Sequence, residues 1–229
     1  MINLELILHS LPQLLWGALL SIQLVIVSGI LGLIIAIPLA LARVSPNPLI
    51  SAGPYAYAFF FRGTPLLVQL FLVYYGLGQF EFIRNSVLWP FLREPYYCAI
   101  LTMGLHTGGY IAEILRGAIQ AVPVGEVEAA RTLGMSMSKA YRRIILPRAA
   151  RIALPAYSNE VILMLKGSSL ASTITLLDLT GMSRTIIART YDPISIFFAA
   201  GVLYLIISFI LVQGFRLLER RWNKHLVRA

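Results

Sequence analysis

The chain has 229 residues, of which 58% are hydrophobic and 13% are charged, and its formal net charge is +9. A soluble domain carries about 25% charged residues, so this composition excludes a soluble enzyme and a disordered scaffold. Residues 6–42, 63–80, 95–112 and 193–215 contain no Asp, Glu, Lys or Arg. An apolar stretch of about 18 residues can cross a bilayer as a helix, so the composition predicts an integral membrane protein.

Five membrane-spanning helices account for the apolar segments in chain order. We place them at about residues 11–42, 57–80, 97–121, 152–176 and 194–215. No basic residue precedes the first apolar run, so we expect it to remain as a span and not to be removed as a signal peptide. The expected fold is therefore all-α, as a single transmembrane domain over residues 1–229.

Lysine and arginine residues are concentrated on one side of these predicted spans. Residues 81–96, on the other side, balance two arginines with two glutamates, and the start of the chain carries Glu5 and no cation. The Lys/Arg excess marks the cytoplasmic side, which places the N-terminus outside and the C-terminus inside. The charge is thus a topology signal and not a nucleic-acid surface. The cations of the cytoplasmic side are Arg43, Arg131, Lys139, Arg142, Arg143, Arg148, Arg151, Arg216, Arg220, Arg221, Lys224 and Arg228.

The connector over residues 123–147 is too patterned for a passive turn. Val127, Ala130 and Leu133 have helical spacing, and Gly134 is a natural helix terminator. Ser136 or Ser138 could cap a second short helix, which Pro147 would end or kink. The pattern predicts a cytoplasmic helix–turn–helix elbow, and an amphipathic hairpin lying on the membrane surface is the alternative.

This elbow resembles the EAA loop of permease subunits of ATP-driven importers. Every position of that pattern is matched here, by Glu128, Ala129, Ala130, Gly134, Ile144, Leu146 and Pro147. The stretches RGTPLLVQ (62–69), YIAEILRG (110–117) and 157–170 are similar to the polar amino-acid branch of these importers. Within that branch the chain is most similar to permeases for basic amino acids (histidine, arginine, ornithine) and for opines.

The resemblance implies a type I ABC importer permease fold in a bacterial cytoplasmic (inner) membrane. It implies uptake of polar, basic amino acids (arginine, lysine, ornithine, histidine), with opines of the octopine or nopaline type, or other polar amino acids, as the alternative cargo. In this family the EAA helix docks in a groove of a cytosolic ATPase. Glu128, Ala129 and Ala130 would form that contact, Gly134 would set the turn, and Ile144, Leu146 and Pro147 complete the coupling segment.

The implied partners are two ATP-binding subunits, a second permease chain, and a periplasmic or lipid-anchored amino-acid-binding protein, with membrane lipid around the spans. The second permease is expected to be a related chain in a heterodimer, and a second copy of this chain is the alternative. ATP and Mg would be used by the ATPase, with no cofactor in this chain. The sequence supports a separate ATPase independently of the resemblance, because it contains no GxxxxGK[ST] phosphate loop. The predicted outer loops are also too short for a solute-binding domain. The absence of an internal repeat indicates a pore that a second subunit completes.

Glu160 is the most informative charge within the predicted spans. An ionisable side chain at the centre of a spanning helix costs about 2.5–3.5 kcal/mol, so it needs a partner. That partner is either a cationic substrate or a residue of a neighbouring helix or subunit. Asn159 precedes it, and Leu163 and Met164 share its helical face.

Other polar residues within the spans have weaker signals. Thr64 and Gln69 flank Pro65 and could line a substrate path at a helix break, although a simple proline kink is the alternative. Glu113 and Arg116 are spaced to pair on one helix face, as a salt bridge or a gate. Lys166 would snorkel outward or meet a carboxylate elsewhere. We expect His106 to be a packing residue and Cys98 a buried, inert thiol.

No catalytic or metal-ligand spacing occurs in the sequence, which argues against a membrane enzyme. An assembly factor that docks through the elbow is a related alternative. A stand-alone channel or ion-coupled carrier is another, and transport without ATP would establish it.

Overall fold

The computed structural model describes residues 2–222, and within that range the ordered elements are helices without a strand. Helix α1 spans Leu4–Arg43. Asn3 is the N-cap of this helix, because its side chain accepts a hydrogen bond from the Leu6 amide at 3.0 Å. The helix extends further toward the N-terminus than the predicted span. Lys224 and Arg228, which contribute to the topology prediction, lie outside the described residues.

The second predicted span is not one helix. Helix α2 covers Pro48–Gly63, and α3 covers Leu66–Phe71 and continues through a π-helical turn and a 3-10 turn to Gln79. The two halves meet at 102°. The physical reason is Pro65, which has no amide hydrogen and forces Thr64 into extended backbone, with φ −110° and ψ 140°. The predicted break at Pro65 is confirmed, and the segment begins at Pro48, before the predicted start of the span near residue 57.

The third predicted span agrees closely with the structure. Two short helices, α4 (Glu81–Arg84) and α5 (Trp89–Leu92), form the loop that precedes it. Helix α6 then spans Pro95–Gln120. Cys98 is fully buried near its start and donates a hydrogen bond to the Leu92 carbonyl at 2.9 Å, which confirms the prediction of a packed thiol.

The connector contains α7 (Val124–Thr132) and α8 (Met137–Ala140). The latter runs without interruption through a π-helical turn into α9 (Leu146–Ser168). In that turn the Leu146 amide donates to the Tyr141 carbonyl, five residues back. The wider turn accommodates Pro147, whose ring would collide with a carbonyl in a regular helix. Pro147 therefore does not end the segment, and the elbow is continuous with the fourth span.

A short helix that the sequence analysis did not predict follows the fourth span. A 3-10 turn over Ser169–Ile174 leads into α10 (Leu179–Thr190), at 48° to the preceding helix. Asp178 caps α10 by accepting hydrogen bonds from the amides of Thr180 and Gly181. Three charged residues lower the mean hydropathy of this region, so a hydropathy pattern does not reveal the helix.

Helix α11 (Pro193–Trp222) completes the described chain. Its start is tied to the start of α1, because the Asn3 amide donates to Ser195 Oγ at 2.8 Å. The Ser195 hydroxyl and amide both donate to Asp192, and these hydrogen bonds hold the pKa of that exposed carboxyl below its usual range. The first and last long helices thus begin on the same side of the molecule, as an odd number of spans requires.

Helices α1, α6 and α11 are long and apolar enough to cross a membrane, and the two bent pairs raise the number to as many as five. Close packing of α1 on α6 depends on glycine. A Cβ added to Gly104 would lie 2.6 Å from Leu31 Cδ2, well inside van der Waals contact. This packing holds the face of α6 that carries His106, Thr107 and Tyr110.

Candidate functional site

A cavity of about 230 Å³ lies between α3, α6 and α9. Its wall combines aliphatic and sulfur-containing side chains with a few polar groups and one carboxyl group. The lining residues are Leu66, Met103, His106, Thr107, Tyr110, Glu160, Leu163 and Met164. A mostly apolar wall with a few convergent polar groups is typical of a small-molecule site.

Glu160 supplies the charge of this cavity. Glu160 is 6% exposed, and its Oε1 accepts a hydrogen bond from Thr107 Oγ1 at 2.7 Å. Within residues 2–222 of this chain, no Lys or Arg nitrogen lies within 4.0 Å of the Glu160 carboxyl. The placement of Leu163 and Met164 beside Glu160 agrees with the predicted helical face.

The sequence analysis missed most of the α6 side of the cavity. Thr107 and Tyr110 were not singled out, and His106 was predicted to be a packing residue, whereas all three lie on the wall. His106 Nδ1 also lies 3.2 Å from Gln69 Oε1. The available signal was the polar stripe that these residues form along an otherwise apolar span, at helical spacing of three and four.

Thr64 and Gln69 lie at the helix break and outside the cavity lining. The Thr64 hydroxyl donates to the Phe60 carbonyl at 2.8 Å, at the end of α2. Gln69, which is 4% exposed, donates from Nε2 to the carbonyls of Phe61 at 3.0 Å and Thr64 at 3.1 Å. These bonds satisfy backbone carbonyls that the break leaves open. The structure therefore places both residues as supports of the break, and their contact with a substrate stays a prediction.

Asn159 and Lys166 lie on the exposed face of α9. Their spacing of seven residues puts both side chains on one face, away from Glu160. Neither lines the cavity. A substrate contact by Asn159 therefore stays a prediction.

Glu113 joins three helices through arginine side chains. Its carboxylate lies 3.0 Å from Arg43 Nε of α1, 2.9 Å from Arg116 Nε of α6, and 3.8 Å from an Arg62 nitrogen of α2. The predicted pair with Arg116 is confirmed. Arg43 entered the sequence analysis only as a topology marker, and only the packing of α1 on α6 reveals it as a partner. Arg62 also lies over the ring of Tyr110, 5.4 Å from its centroid.

We expect Glu113→Gln to destabilise the protein by about 3 kcal/mol, the lower end of the range for breaking a buried ion pair. The side chains of Glu113 and Arg43 are 15% and 17% exposed, so the substitution strands a poorly hydrated cation. Thermal unfolding of the detergent-purified protein measures the effect. Glu81→Gln is the matched control, because the Glu81 side chain is 86% exposed and its pair with Arg84 is long, at 3.9 Å. Equal melting temperatures for both variants would contradict the role of Glu113.

The elbow turns at Gly134, as predicted. The Gly134 amide donates to the Arg131 carbonyl at 2.9 Å, and the Met135 amide donates to the Ala130 carbonyl at 3.0 Å. This pair of bonds is a Schellman motif, which requires a left-handed residue after the helix. Gly134 has φ +76° and fills that position. Ser136 occupies the start of α8 without a side-chain capping bond.

The two faces of α7 have different surroundings. Val127 packs against the cluster that contains Ala118, Val122 and Ile145, and Ala130 is 3% exposed. Leu133 was predicted to share this packed face, but it is 85% exposed because α7 ends at Thr132. The remaining residues matched to the EAA pattern lie in two groups, with Glu128, Ala129 and Pro147 exposed and Ile144 and Leu146 partly buried.

A salt bridge links α7 to the base of α9. Arg148 Nη2 lies 3.4 Å from Glu126 Oε1. Together with Val127, this bridge fixes the elbow to the helix that carries Glu160 further along.

The sequence has curated relatives among amino-acid and opine permeases. It is 45% identical over 225 residues to the nopaline transport system permease protein NocM of Agrobacterium fabrum, covering 98% of this chain and 93% of that protein. It is 47% identical over 210 residues to the histidine/lysine/arginine/ornithine transport system permease protein HisM of Escherichia coli, covering 91% of this chain and 88% of that protein.

The fold agrees with solved importer structures. A crystal structure of an amino acid ABC transporter with histidines matches with a TM-score of 0.86 and 32% identity, covering 96% of this chain and 99% of that chain. The MetNI methionine ABC transporter in an inward-facing conformation matches with a TM-score of 0.78, 93% of this chain and 98% of that chain, at 18% identity, which supports the fold alone. The model for binding-protein-dependent transport system inner membrane components matches residues 28–224. Taken with the helical fold and the elbow, these matches establish that the chain belongs to the family of binding-protein-dependent transport system inner membrane components, the permease subunits of ABC importers.

Proposed function

We propose that this permease imports basic amino acids and that Glu160 receives their cationic group. The observation that carries the proposal is a buried carboxyl group in a small cavity between α3, α6 and α9, with no Lys or Arg nitrogen of the described residues within 4.0 Å of it. A charge in that position is stable only when it is compensated. A lysine-like or arginine-like head group supplies this compensation when it enters the cavity.

The other wall residues have complementary roles in this proposal. Thr107 donates to Glu160 Oε1 and so orients the carboxylate toward the incoming cation. Leu66, Met103 and Met164 offer apolar surface to the aliphatic part of the side chain. Methionine suits a site that accepts several related amino acids, because its side chain is flexible and polarisable.

The working assembly contains further subunits. We infer five spans with the N-terminus outside and the C-terminus inside, from the Lys/Arg distribution. A second related permease would face the exposed Asn159 and Lys166 surface of α9, since polar groups there are poorly suited to lipid. Two ATPase subunits would use ATP and Mg, and a binding protein would deliver the amino acid from outside.

The elbow over residues 123–147 is proposed to transmit ATPase movement to the cavity. Glu128 and Ala129 are exposed and available for contact, whereas Val127 and Glu126 fasten α7 to the permease. The helical run from Met137 to Ser168 then carries the movement to Glu160 over about 35 Å, at 1.5 Å per residue. A displacement of the elbow therefore moves one wall of the cavity directly.

Uptake by the reconstituted importer tests the function. Proteoliposomes would contain this chain, its partner permease and the ATPase subunits, with the binding protein outside and ATP inside. We expect accumulation of labelled arginine that stops when ATP is omitted. Uptake by this chain alone, or uptake indifferent to ATP, would identify a channel or an ion-coupled carrier instead.

Opines are the second candidate cargo. The observation in their favour is the 45% identity to the nopaline permease over 98% of this chain. Competition shows whether one importer accepts both classes, because excess unlabelled opine should abolish arginine uptake only in that case.

A further inference from the structure

The side chain of Gln69 has a fixed orientation at the helix break between α2 and α3. Pro65 has no amide hydrogen, so the Phe61 carbonyl, four residues earlier, loses its helical donor. Gln69 Nε2 donates to that carbonyl at 3.0 Å and to the Thr64 carbonyl at 3.1 Å. A carbonyl oxygen cannot donate a hydrogen bond, so the amide nitrogen of Gln69 must face the break. The amide oxygen therefore points away from it.

This orientation decides which nitrogen of His106 carries the proton. Gln69 Oε1 lies 3.2 Å from His106 Nδ1, and an amide oxygen can only accept, so Nδ1 is the protonated nitrogen. In the neutral ring the other nitrogen, Nε2, then has a lone pair and accepts hydrogen bonds. The tautomer is thus assigned from a chain of hydrogen bonds that runs from the break through Gln69 to the ring.

The acceptor nitrogen of His106 opens onto the cavity. Within residues 2–222, Nε2 has no hydrogen-bond partner, and it is not one of the buried unpartnered polar atoms, which are Ser28 Oγ and Arg148 Nε. Nε2 is therefore accessible. The accessible space beside the ring is the cavity, since His106 and Glu160 both line it.

Two acceptors of different charge therefore face one small space. Glu160 supplies an anionic acceptor and His106 a neutral one, and Thr107, which donates to Glu160, is the neighbour of His106 on α6. A cationic head group with N–H bonds in two directions satisfies both acceptors. Guanidinium and primary ammonium groups have such bonds, whereas a quaternary ammonium group has the charge but no N–H.

We propose that His106 selects the cargo by accepting a hydrogen bond at Nε2 from a guanidinium or primary ammonium group. This inference rests on the proposed function, in which Glu160 receives the positive charge, and it adds a requirement for N–H. A quaternary ammonium group in the cavity leaves Nε2 without a partner, which is the cost that rejects it. The break at Pro65 contributes to the selection, because its open carbonyls orient Gln69 and thereby fix the ring proton.

Binding of lysine and of Nε-trimethyllysine to the assembled importer tests the selection. Both ligands carry the positive charge, but only lysine has N–H bonds at its head group. Isothermal titration without the binding protein measures the affinity of the cavity. We expect lysine to bind about 10- to 100-fold more tightly, since an unpaired buried acceptor costs about this factor. Nε-monomethyllysine, which keeps two N–H bonds, should bind nearly as tightly as lysine.

Two substitutions separate selection from packing. His106→Asn keeps a donor near the position of Nδ1 and removes the acceptor at Nε2, so the preference for lysine should disappear. His106→Gln places an amide oxygen near the position of Nε2 and should keep most of the preference. His9→Asn is the matched control, because it removes an exposed histidine near the start of α1 and should change nothing. Nitrogen NMR of the histidine-labelled importer should show the ring proton on Nδ1 in the signal that His106→Asn removes.

The outcomes separate this inference from the proposed function. If Glu160→Gln leaves lysine binding unchanged, the proposed function fails, and the role of His106 in selection fails with it. If Glu160→Gln weakens lysine binding but the unaltered importer binds lysine and Nε-trimethyllysine equally, Glu160 receives the charge and His106 selects nothing. A ring proton on Nε2 would overturn the inference, and so would an unchanged preference in His106→Asn, which would indicate rejection by size.

Discussion

Arginine uptake should fall about 10- to 100-fold in Glu160→Gln. The amide has nearly the same shape and still accepts the hydrogen bond from Thr107 Oγ1, which is 2.7 Å long in the native protein. What is lost is the negative charge that faces the cavity. Hydrogen bonds to charged groups contribute about 1.5–3 kcal/mol, which corresponds to this range of rates when the contact is made during transport. Initial uptake rates in proteoliposomes measure the effect.

Two controls separate substrate binding from a structural role of Glu160. Glu94→Gln removes a carboxylate from the exposed loop before α6, where its side chain is 53% exposed, and should leave uptake unchanged. Thermal unfolding of Glu160→Gln shows whether the fold is intact. A stable variant that still carries arginine at the normal rate would refute the cargo contact. An unstable variant with normal uptake per folded molecule would identify Glu160 as part of a structural pair.

Uptake should also fall about tenfold in Gly134→Val, for a reason that lies in the backbone. Gly134 has φ +76°, a conformation that costs an ordinary side chain about 1–2 kcal/mol and a β-branched one more. A Cβ at this position would meet no atom of the described chain within 4 Å, so crowding within this chain does not contribute. The strain opens the Schellman motif and changes the angle of α7. Transport should therefore decline more than ATP hydrolysis, and the ratio of arginine imported to ATP hydrolysed measures this loss of coupling.

Gly134→Asn is the matched control for this experiment. Asparagine is larger than glycine, but it adopts the left-handed conformation at much lower cost than valine. We expect coupling close to that of the unaltered protein. If valine and asparagine are equally harmful, the elbow responds to side-chain size at a contact surface. If both are harmless, the turn does not transmit movement.

The helical content and much of the elbow could be predicted from the sequence because they depend on local rules. The start of α6 follows from a charge-free run that begins at a proline, and Gly134 ends α7 because few other residues adopt its backbone conformation. The sequence predicts the position of the bend after α2, at Pro65. It does not predict the angle of the bend, because the packing of each half decides its direction. Helix α10 was missed because two arginines lower its hydropathy, and because the Asp178 cap that starts it depends on backbone geometry that a hydropathy pattern does not include.

The candidate site, too, could be predicted from the sequence only in part. Glu160 could be found in the sequence because a charge in an apolar helix needs compensation wherever the helix lies. Its hydrogen bond with Thr107 joins residues 53 positions apart, and the link between Arg43 and Glu113 joins residues 70 positions apart. Such pairs depend on which faces of α1, α6 and α9 pack together.

The sequence by itself therefore determined the membrane class, the elbow and the charge that needs a partner, because hydropathy, backbone conformation and the cost of an isolated charge are local properties. Only the tertiary structure decided which side chains surround Glu160 and which cations surround Glu113. Helix packing in a membrane is set by close contacts at particular small residues, such as Gly104, which lets the Leu31 side chain approach, and those contacts fix the faces that meet.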